Sequence, residues 1–175
     1  MKKPASSEDI EVDSIERPLP AGLHFSEIPH AKTRPLRGVL IVPGSTDGVL
    51  HMPEDDVESS AHWGVYHQHD LIAVVSLVPQ VAPAMEPSSM LRFYALAVSP
   101  PWHQLGVGTA IVNRLMQTAG QVGATILWAK ARPASHGSFL KSGFTIVAQG
   151  VLNPATGMKS HVVWRGISPK YLNGS

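Results

Sequence analysis

The pattern of apolar positions predicts a strand, a helix and a second strand in the middle of the chain. The apolar and β-branched run at 92–98 predicts a buried strand, which Ser99-Pro100-Pro101 ends. From residue 109 onward, apolar side chains recur every three or four positions, and this spacing predicts a helix over 109–120. A second run at 124–131 predicts another buried strand.

The segments on either side of this centre predict further strands and two more helices. Strands are predicted at 23–27, 62–66, 71–79, 144–148 and 161–167, and helices at 28–42 and 135–141. Residues 67–70 are predicted to form a hairpin turn. Pro35 lies inside the first helical pattern, so this helix is expected either to start near Thr33 or to break at the proline. The order predicts an α/β fold, with a mixed central sheet and helices on its faces.

Composition predicts one folded domain behind a tail. The 175 residues are 43% hydrophobic, which is enough for one sizeable core. Residues 1–20 are polar and rich in proline, so we expect a disordered tail there and a single domain over 21–175. A net charge of +1 and the lack of a long apolar run predict neither nucleic-acid nor membrane partners. The lack of cysteine excludes disulfides and, with no signal-peptide pattern, favours a cytoplasmic location.

The loop between the central strand and its helix has the features of an anion site. Gly106 and Gly108 lie directly before the helix, where glycine lets backbone N–H groups approach a ligand and the helix start adds unpaired donors. Neither the Lys-Ser/Thr of a Walker loop nor the third glycine of a dinucleotide fingerprint is present, since position 111 is isoleucine. A phosphate-bearing ligand is predicted; a tight turn without a ligand is the alternative.

Two stretches resemble signatures of the GNAT superfamily of N-acetyltransferases. His103-Gln104-Leu105-Gly106-Val107-Gly108 is similar to its motif A, Gln/Arg-x-x-Gly-x-Gly/Ala, with histidine in the first position. Residues 131–144, with Ala131-Arg132, Phe139 and Gly143-Phe144, resemble its strand 5 and helix 4 signature. Leu36-Arg37 with Leu40, and the last strand, resemble a bacterial subgroup. The resemblance covers roughly residue 21 to the end and implies that parallel strands 4 and 5 splay apart.

The resemblance also implies acetyl-CoA or coenzyme A as the cofactor. Its pantetheine arm is expected along residues 96–98, and its pyrophosphate on the backbone N–H groups of 104–109. His103 is expected either to contact phosphate or to be an exposed loop histidine. The predicted cofactor-binding residues are Leu96, Ala97, Val98, His103, Gln104, Leu105, Gly106, Val107, Gly108, Thr109, Arg132, Ser135 and Phe139.

The group that takes the proton from the acceptor amine stays open. Many family members carry a glutamate where Arg92 stands, and arginine cannot accept a proton. Strand alternation is expected to put Arg92, Tyr94, Leu96 and Val98 on one face. Tyr94 and His161 are predicted as catalytic residues, with His62 as a third candidate; the amine could also arrive neutral. Arg37, His62 and Arg92 are predicted to bind the acceptor, unless both arginines are surface or interface residues.

Two functions remain open at this stage. The first is transfer of acetyl from acetyl-CoA to an amine of a small molecule or peptide. The second is a catalytically weak or silent acyl-CoA-binding module, because Phe139 stands where the family carries a tyrosine acid. No metal site is predicted, since the histidines near the hairpin lack carboxylate or cysteine partners at ligand spacing. The last strands would permit a homodimer by sheet pairing.

Overall fold

The computed structural model describes residues 18–42, 44, 48–83, 85–86, 88–152 and 159–168, without the side chains of residues 148, 149 and 151. Residues 1–17 of the predicted tail and the turn at 153–158 lie outside the described residues. None of the described helices is long and apolar enough to cross a bilayer.

Seven strands among the described residues form one mixed sheet in the order β1-β2-β3-β4-β5-β7-β6. They are β1 Leu23–Glu27, β2 Ala61–His67, β3 Asp70–Pro79, β4 Met90–Val98, β5 Ile126–Ala131, β6 Thr145–Leu152 and β7 Lys159–Gly166. Neighbouring strands run antiparallel except β4 and β5, which run parallel. Every predicted strand is present, with ends that differ by a few residues, and the predicted mixed α/β sheet is confirmed.

Helices cover both faces of this sheet. The helices of the described chain are α1 His30–Ile41, α2 Val107–Gln121 and α3 His136–Lys141, and a 3-10 turn, here the 53–56 turn, spans Pro53–Asp56. α1 packs on β2, β3 and β4, whereas α2 packs on β4 and β5. We call these sides of the sheet the α1 face and the α2 face. α3 lies on the α2 face, because Phe139 packs against the same buried cluster as α2.

The first helix passes through its proline without a break. α1 starts at His30, so both alternatives predicted for Pro35 are wrong. Proline removes one backbone donor in a helix. Packing opposes this loss, because Leu36, Leu40 and Ile41 are partly buried against the α1 face.

A bulge in β4 changes which residues share a face. Val74 of β3 pairs with Ala97, yet Ser76 pairs with Tyr94, so β4 carries one extra residue between these pairs. Ala95 within the bulge has a φ of +50°. As a result Ala97 packs on the α1 face, while Leu96 and Val98 pack in the α2-face core. The predicted alternation, which put Leu96 and Val98 on the face of Tyr94, is wrong because the bulge shifts the phase by one residue.

The parallel strands β4 and β5 separate as predicted. Their pairing runs from Met90–Ile126 to Arg92–Trp128 and ends there. From residue 93 onward, the side of β4 that faces β5 has no strand partner among the described residues. A V-shaped gap therefore opens in the sheet, and it points toward the loop that precedes α2.

Gly38→Ala is expected to destabilise the fold. A Cβ at Gly38 would overlap the backbone of Gly48 and Val49, which cannot move aside as a flexible side chain would. Overpacking of this kind costs about 1–3 kcal/mol, seen as a lower midpoint in urea unfolding. Gly137→Ala in α3 is the matched control, because a Cβ there meets nothing within 4 Å. Equal midpoints for the two variants would contradict this account of the α1 packing.

Candidate functional site

The loop before α2 is shaped to receive an anion. Gly106 adopts a φ of +83° at the N-cap of α2, a conformation that favours glycine. The N–H groups of Val107, Gly108 and Thr109 form the first helical turn, where no intrahelical acceptor exists. A Cβ on Gly108 would meet no described atom within 4 Å, so the space above this turn is open. These donors and this space fit the pyrophosphate of coenzyme A.

His103 turns toward the end of β4. Its Nε2 lies 2.6 Å from the carbonyl oxygen of Val98, so that nitrogen carries the proton and donates it. The side chain is exposed and also bonded to the strand end, which leaves Nδ1 as the ring atom able to contact a ligand. The predicted phosphate contact stays a prediction.

Three more of the residues predicted to hold the cofactor lie in the core of the α2 face, whereas Ala97 packs on the α1 face. Leu96, Val98 and Phe139 pack against the same buried cluster. The ring of Phe139 lies 5.9 Å from that of Phe93 and 5.3 Å from that of Phe144, measured between ring centroids. Arg132 and Ser135, at the start of the segment that leads into α3, are exposed. Their roles toward the cofactor stay predictions.

A buried polar network occupies the α1 face beside the gap. Arg37 of α1 is fully buried, and its Nη1 lies 2.9 and 2.8 Å from the two carboxylate oxygens of Asp55. Its Nη2 donates to Oγ of Ser76, which in turn contacts Nδ1 of His62 at 2.7 Å. The hydroxyl of Tyr94 donates to Oδ1 of Asp55 at 3.0 Å. We call these five residues the Arg37 network; they join α1, the 53–56 turn, β2, β3 and β4.

The network sets the protonation of its members. Burial raises the pKa of Asp55, but hydrogen bonds from the Met52 N–H, Arg37 and Tyr94, together with the charge of Arg37, outweigh burial and hold this pKa below its usual value. Burial and the Asp55 charge raise the pKa of Tyr94 to about 12. Burial, aided by the charge of Arg37 and by His30, lowers the pKa of His62. At neutral pH Asp55 is therefore ionised, whereas Tyr94 and His62 are neutral.

This geometry bears on Tyr94 and His62 as proton acceptors. A tyrosine whose pKa is about 12 keeps its proton at pH 7, and the proton of Tyr94 is donated to Asp55. Ser76 Oγ accepts from Arg37 and also contacts Nδ1 of His62; because a hydroxyl oxygen has two lone pairs, this contact fits either tautomer of the neutral His62 ring. The catalytic roles stay predictions, and Tyr94 is not set up to accept a proton.

Tyr94 and His161 are not brought together. His161 of β7 pairs with Ala131 of β5, whose side chain belongs to the α2-face core. The ring of His161 lies 4.8 Å from that of His136 at the start of α3. Directly paired residues point to the same side of a sheet, so His161 is on the face opposite to Tyr94. The two predicted catalytic residues therefore cannot act on one proton from one side of the gap.

Neither arginine predicted to bind the acceptor is a surface residue. Arg37 is 0% exposed and Arg92 is 6% exposed, so the alternative that placed them at the surface is wrong. Both terminal nitrogens of Arg37 bind inside the protein. Arg92 donates from Nη1 to Glu54 and, at 3.0 Å, to Oε1 of Gln80. Their predicted contacts with an acceptor stay predictions.

The residues that pair with these arginines were missed. Glu54 and Asp55 come from the 53–56 turn, where neither a helix nor a strand is predicted from the sequence. The signal was present in the run Pro53-Glu54-Asp55-Asp56, because proline followed by acidic residues is typical of the start of a helical turn. No pattern in the sequence tells which arginine such acids will meet.

One group of side chains in the described part of the chain has donor atoms close enough to suggest a metal. The ligand atoms of His30, His51 and Asp55 lie within 4.8 Å of one another. However, Arg34 donates to Nδ1 of His30 at 2.8 Å, which puts the proton of the neutral ring on Nε2. Asp55 is already shared by Arg37 and Tyr94. The group is therefore used for internal hydrogen bonds.

An acidic cleft of about 540 Å³ opens next to the Arg37 network. Its charged lining consists of Glu27, Asp55, Asp56 and Glu58, with His30 and His62 as the titratable bases. The cleft lies on the side of α1 and the 53–56 turn, away from the glycine loop of the α2 face. A protonated amine suits the charge of this lining better than an anion does.

A splayed pair of parallel strands, followed by a glycine loop at a helix start, defines the class of acyl-CoA-dependent acyltransferases. The family model "Acetyltransferase (GNAT) family" matches residues 40–144, more than half of the chain. The chain belongs to the GNAT acetyltransferase family, as the resemblance implied. It is therefore a transferase of the class that uses acetyl-CoA as acetyl donor.

Similar proteins agree with this assignment. The uncharacterized N-acetyltransferase YitI of Bacillus subtilis (strain 168) is 26% identical over 110 residues, which is 63% of this chain and 72% of that relative. An acyl-CoA N-acyltransferase from Pseudomonas aeruginosa shares the fold with a TM-score of 0.63, at 17% identity over 82% of this chain and 99% of that chain. An aminoglycoside 6'-N-acetyltransferase complexed with coenzyme A also has a TM-score of 0.63, at 14% identity over 83% of this chain and 98% of that chain.

The raised pKa of Tyr94 predicts a loss of stability at alkaline pH. An unfolded tyrosine ionises near its ordinary pKa of 10.0, whereas the folded one ionises at about 12. Ionisation of Tyr94 therefore leaves the free energy of unfolding unchanged below pH 10. As the pH rises toward 12, it lowers this free energy by roughly 2–3 kcal/mol. Urea unfolding at pH 8 and pH 11.5 measures it.

The variant Tyr94→Phe should lose less stability between these two pH values than the wild type does, since it lacks the ionising group. Tyr66→Phe is the control, because Tyr66 is only partly buried and stacks on His24 instead of joining the network. Identical pH dependence of Tyr94→Phe and the wild type would contradict the alkaline effect assigned to Tyr94.

Proposed function

We propose that this protein transfers the acetyl group of acetyl-CoA to an amine of a small molecule or peptide. The observation that carries the proposal is the separation of β4 from β5 beyond the Arg92–Trp128 pair, directly before the glycine loop. A gap with an unpaired strand edge on one side and free helix donors at its end suits a long ligand that has amides and a pyrophosphate.

Different residues of the gap would bind different parts of the cofactor. The N–H groups of 107–109 would hold the pyrophosphate, and the β4 edge at 96–98 that lacks a β5 partner would hold the pantetheine arm. Leu96, Val98 and Phe139 give that arm an apolar wall on the α2 face. When bound, acetyl-CoA supplies an activated thioester. A backbone N–H on the edge of β4 that lacks a β5 partner would stabilise the oxygen of that thioester as charge develops on it.

The acceptor is proposed to approach from the α1 face. The Arg37 network and the Arg92–Glu54 pair lie there, and the acidic cleft on that side favours a cationic acceptor. A primary amine with a pKa of about 10.4 is protonated at pH 7, and removing that proton costs roughly 4–5 kcal/mol. Lys130 of β5 and Arg92 of β4 face the gap from this side; burial and the charge of Arg92 lower the pKa of Lys130. The same cations would favour the neutral form of an amine bound beside them.

A silent acyl-CoA-binding module is the second candidate, and one observation favours it. Phe139 packs among Phe93 and Phe144 and has no proton to give to a leaving thiolate. A thiol with a pKa of about 8.5 is a fair leaving group without help, so the loss of an acid slows transfer without preventing it. Family membership supports the transferase over the module.

Binding and transfer can be measured separately. Isothermal titration should show that acetyl-CoA and coenzyme A bind, and a thiol reagent should show coenzyme A release in the presence of an amine panel of ethanolamine, putrescine, spermidine, lysine amide and hydroxylamine. Binding without thiol release for any amine would favour the silent module. A lack of binding at millimolar cofactor would exclude both candidates.

Other expectations carry over as proposals. β1 and β6 are the edges of the sheet, and pairing of either edge with a second copy would make a homodimer. Light scattering after gel filtration measures the mass and decides this point. The single domain over 21–175, the cytoplasmic location and the absence of nucleic-acid partners stay predictions.

Gly108→Glu is expected to weaken cofactor binding without unfolding the protein. Space around Gly108 accommodates a side chain, and an acid in the first turn of a helix is favourable for the helix itself. The added carboxylate would repel a pyrophosphate and occupy its place, so the Kd for coenzyme A should rise at least about tenfold, or 1.4 kcal/mol. Gly108→Ala is the uncharged control. Unchanged affinity in the glutamate variant would mean that the pyrophosphate binds elsewhere.

Phe139→Tyr is expected to raise the rate of acetyl transfer if protonation of the thiolate limits turnover. A tyrosine ring can occupy the same place as the Phe139 ring, and tyrosine adds a hydroxyl that can donate a proton. The readout is kcat from thiol release, with unfolding midpoints to show that the aromatic cluster is intact. A kcat equal to that of the wild type would show that thiolate protonation is not limiting.

A further inference from the structure

A carboxylate lies at the point where β4 and β5 separate, and only one of its two oxygens is hydrogen-bonded within the described protein. Glu54 of the 53–56 turn accepts a hydrogen bond from Nη1 of Arg92 through its Oε1. Its other oxygen, Oε2, is buried and has no hydrogen-bond partner among the described residues. The Glu54 side chain as a whole is 22% exposed, so the carboxylate lies at the edge of the protein interior.

This carboxylate is located at the closed end of the gap. Arg92 is the last residue of β4 that pairs with β5, and its partner there is Trp128. The Arg92 guanidinium carbon lies 5.7 Å from the ring centroid of Tyr94 and 5.5 Å from that of Trp128. The group that Arg92 holds is therefore on the α1 face, beside both strands that border the gap.

Charged neighbours surround Glu54 on several elements. Arg92 comes from β4, Gln80 from the end of β3, and Lys130 from β5, two residues beyond Trp128 and on the same face as it. The charge of Glu54 opposes the lowering of the Lys130 pKa that burial and Arg92 cause. The Glu54 carboxylate thus acts on an ammonium group that lies across the gap.

An unpaired oxygen of this kind is costly in a folded protein. A buried polar atom without a partner lowers stability, and it does so more strongly when the group is charged. Arg92 and the 53–56 turn hold the carboxylate in place despite this cost. An ammonium group carries three donors and a positive charge, which is what Oε2 lacks.

The other candidates for a proton acceptor do not meet this requirement. Tyr94 keeps its proton, His62 is on β2 with β3 between it and the strand that borders the gap, and His161 lies on the opposite face. A glutamate carboxylate can accept a proton through either of its two oxygens.

We propose that Glu54, positioned by Arg92, binds the ammonium group of the acceptor through Oε2 and takes its proton. This inference rests on the proposed acetyl transfer. The ammonium gives one proton to Glu54, and the neutral amine forms a C–N bond with the thioester carbonyl carbon. The C–S bond then breaks, the sulfur leaves with the electron pair, and it receives the second proton of the nitrogen. Glu54 returns its proton to water, so one acetylated amine, one thiol and one proton are formed.

The first test measures ammonium binding without the cofactor. Propylammonium chloride is titrated into the 15N-labelled protein, with sodium chloride of equal ionic strength as reference. The reporter is the indole N–H of Trp128, which donates to the carbonyl of Gln80 beside the Arg92 side chain and is assigned with Trp128→Phe. A saturable shift of this signal is expected in the wild type and in Glu86→Gln, an exposed glutamate used as control. The shift should be lost in Glu54→Gln.

The second test compares two nucleophiles at pH 7.5. Propylamine arrives protonated and needs a base, whereas hydroxylamine is already neutral. Glu54→Gln should lower kcat/KM for propylamine by about 100-fold, the usual size of general-base catalysis, and leave that for hydroxylamine about unchanged. The Kd for acetyl-CoA should be the same in both proteins, and the propylamine rate of the variant should follow the fraction of neutral amine as the pH rises.

The outcomes separate this inference from the proposed function. Equal ammonium shifts in the wild type and Glu54→Gln overturn the role of Glu54, as does an equal loss of activity for both nucleophiles. In either case acetyl transfer by the wild type still stands. If the wild type binds acetyl-CoA and releases no thiol with any amine, the proposed function fails and the proton-transfer step fails with it. If the wild type acetylates other amines but neither propylamine nor hydroxylamine, the ammonium titration alone decides the role of Glu54.

Discussion

The ion pair between Arg37 and Asp55 is the contact on which the α1 face depends. Two fully buried charges lose their hydration at a cost of several kcal/mol each, which is recovered only when the remaining donors and acceptors are matched. Here Asp55 also accepts from Tyr94 and from the N–H of Met52, and Arg37 also donates to Ser76. One arginine thereby ties a helix to a turn and two strands. The arrangement leaves little freedom for any of them to shift alone.

The position of the 53–56 turn follows from this pair and decides what lies beside the gap. Asp55 points inward to Arg37, and its neighbour Glu54 then reaches Arg92 on β4. Lys130 lies at the other border of the gap, and the charges of Arg92 and Glu54 shift its pKa in opposite directions. The chemistry of the acceptor side is thus set by a four-residue turn, although the strands carry the backbone that borders the gap.

The bulge in β4 separates the two sides of the site. One extra residue between Tyr94 and Ala97 sends Leu96 and Val98 to the apolar α2 face and leaves Tyr94 in the polar network. Ala95 adopts a left-handed backbone conformation that costs of order 1–3 kcal/mol for a residue other than glycine. This strain is maintained by pairing with β3 on both sides of the bulge. Its effect is an apolar wall for the cofactor and a polar approach for the acceptor on one strand.

The predictable parts of the molecule are those that local pattern controls. Apolar runs, the glycine loop and the prolines locate the strands, the helices and the anion site, because each feature acts within a few residues of itself. The phase of β4 beyond residue 95 was predicted wrongly, since a bulge is a property of two paired strands and Ala95 has no special sequence mark. Burial of Arg37 was missed for a similar reason: its partner lies 18 residues away, in a segment that only looks polar.

Arg92 shows why site residues cannot be transferred by position alone. The family resemblance expects a glutamate at this place on β4, and an arginine there looks like the loss of a base. In three dimensions the arginine holds the carboxylate of Glu54 beside the same pair of strands. The charge at this position of the strand has changed sign, yet a carboxylate is still held beside the two strands that border the gap. Because a base acts through the place of its oxygen atoms and not through its place in the chain, the arginine at 92 is no argument against catalysis.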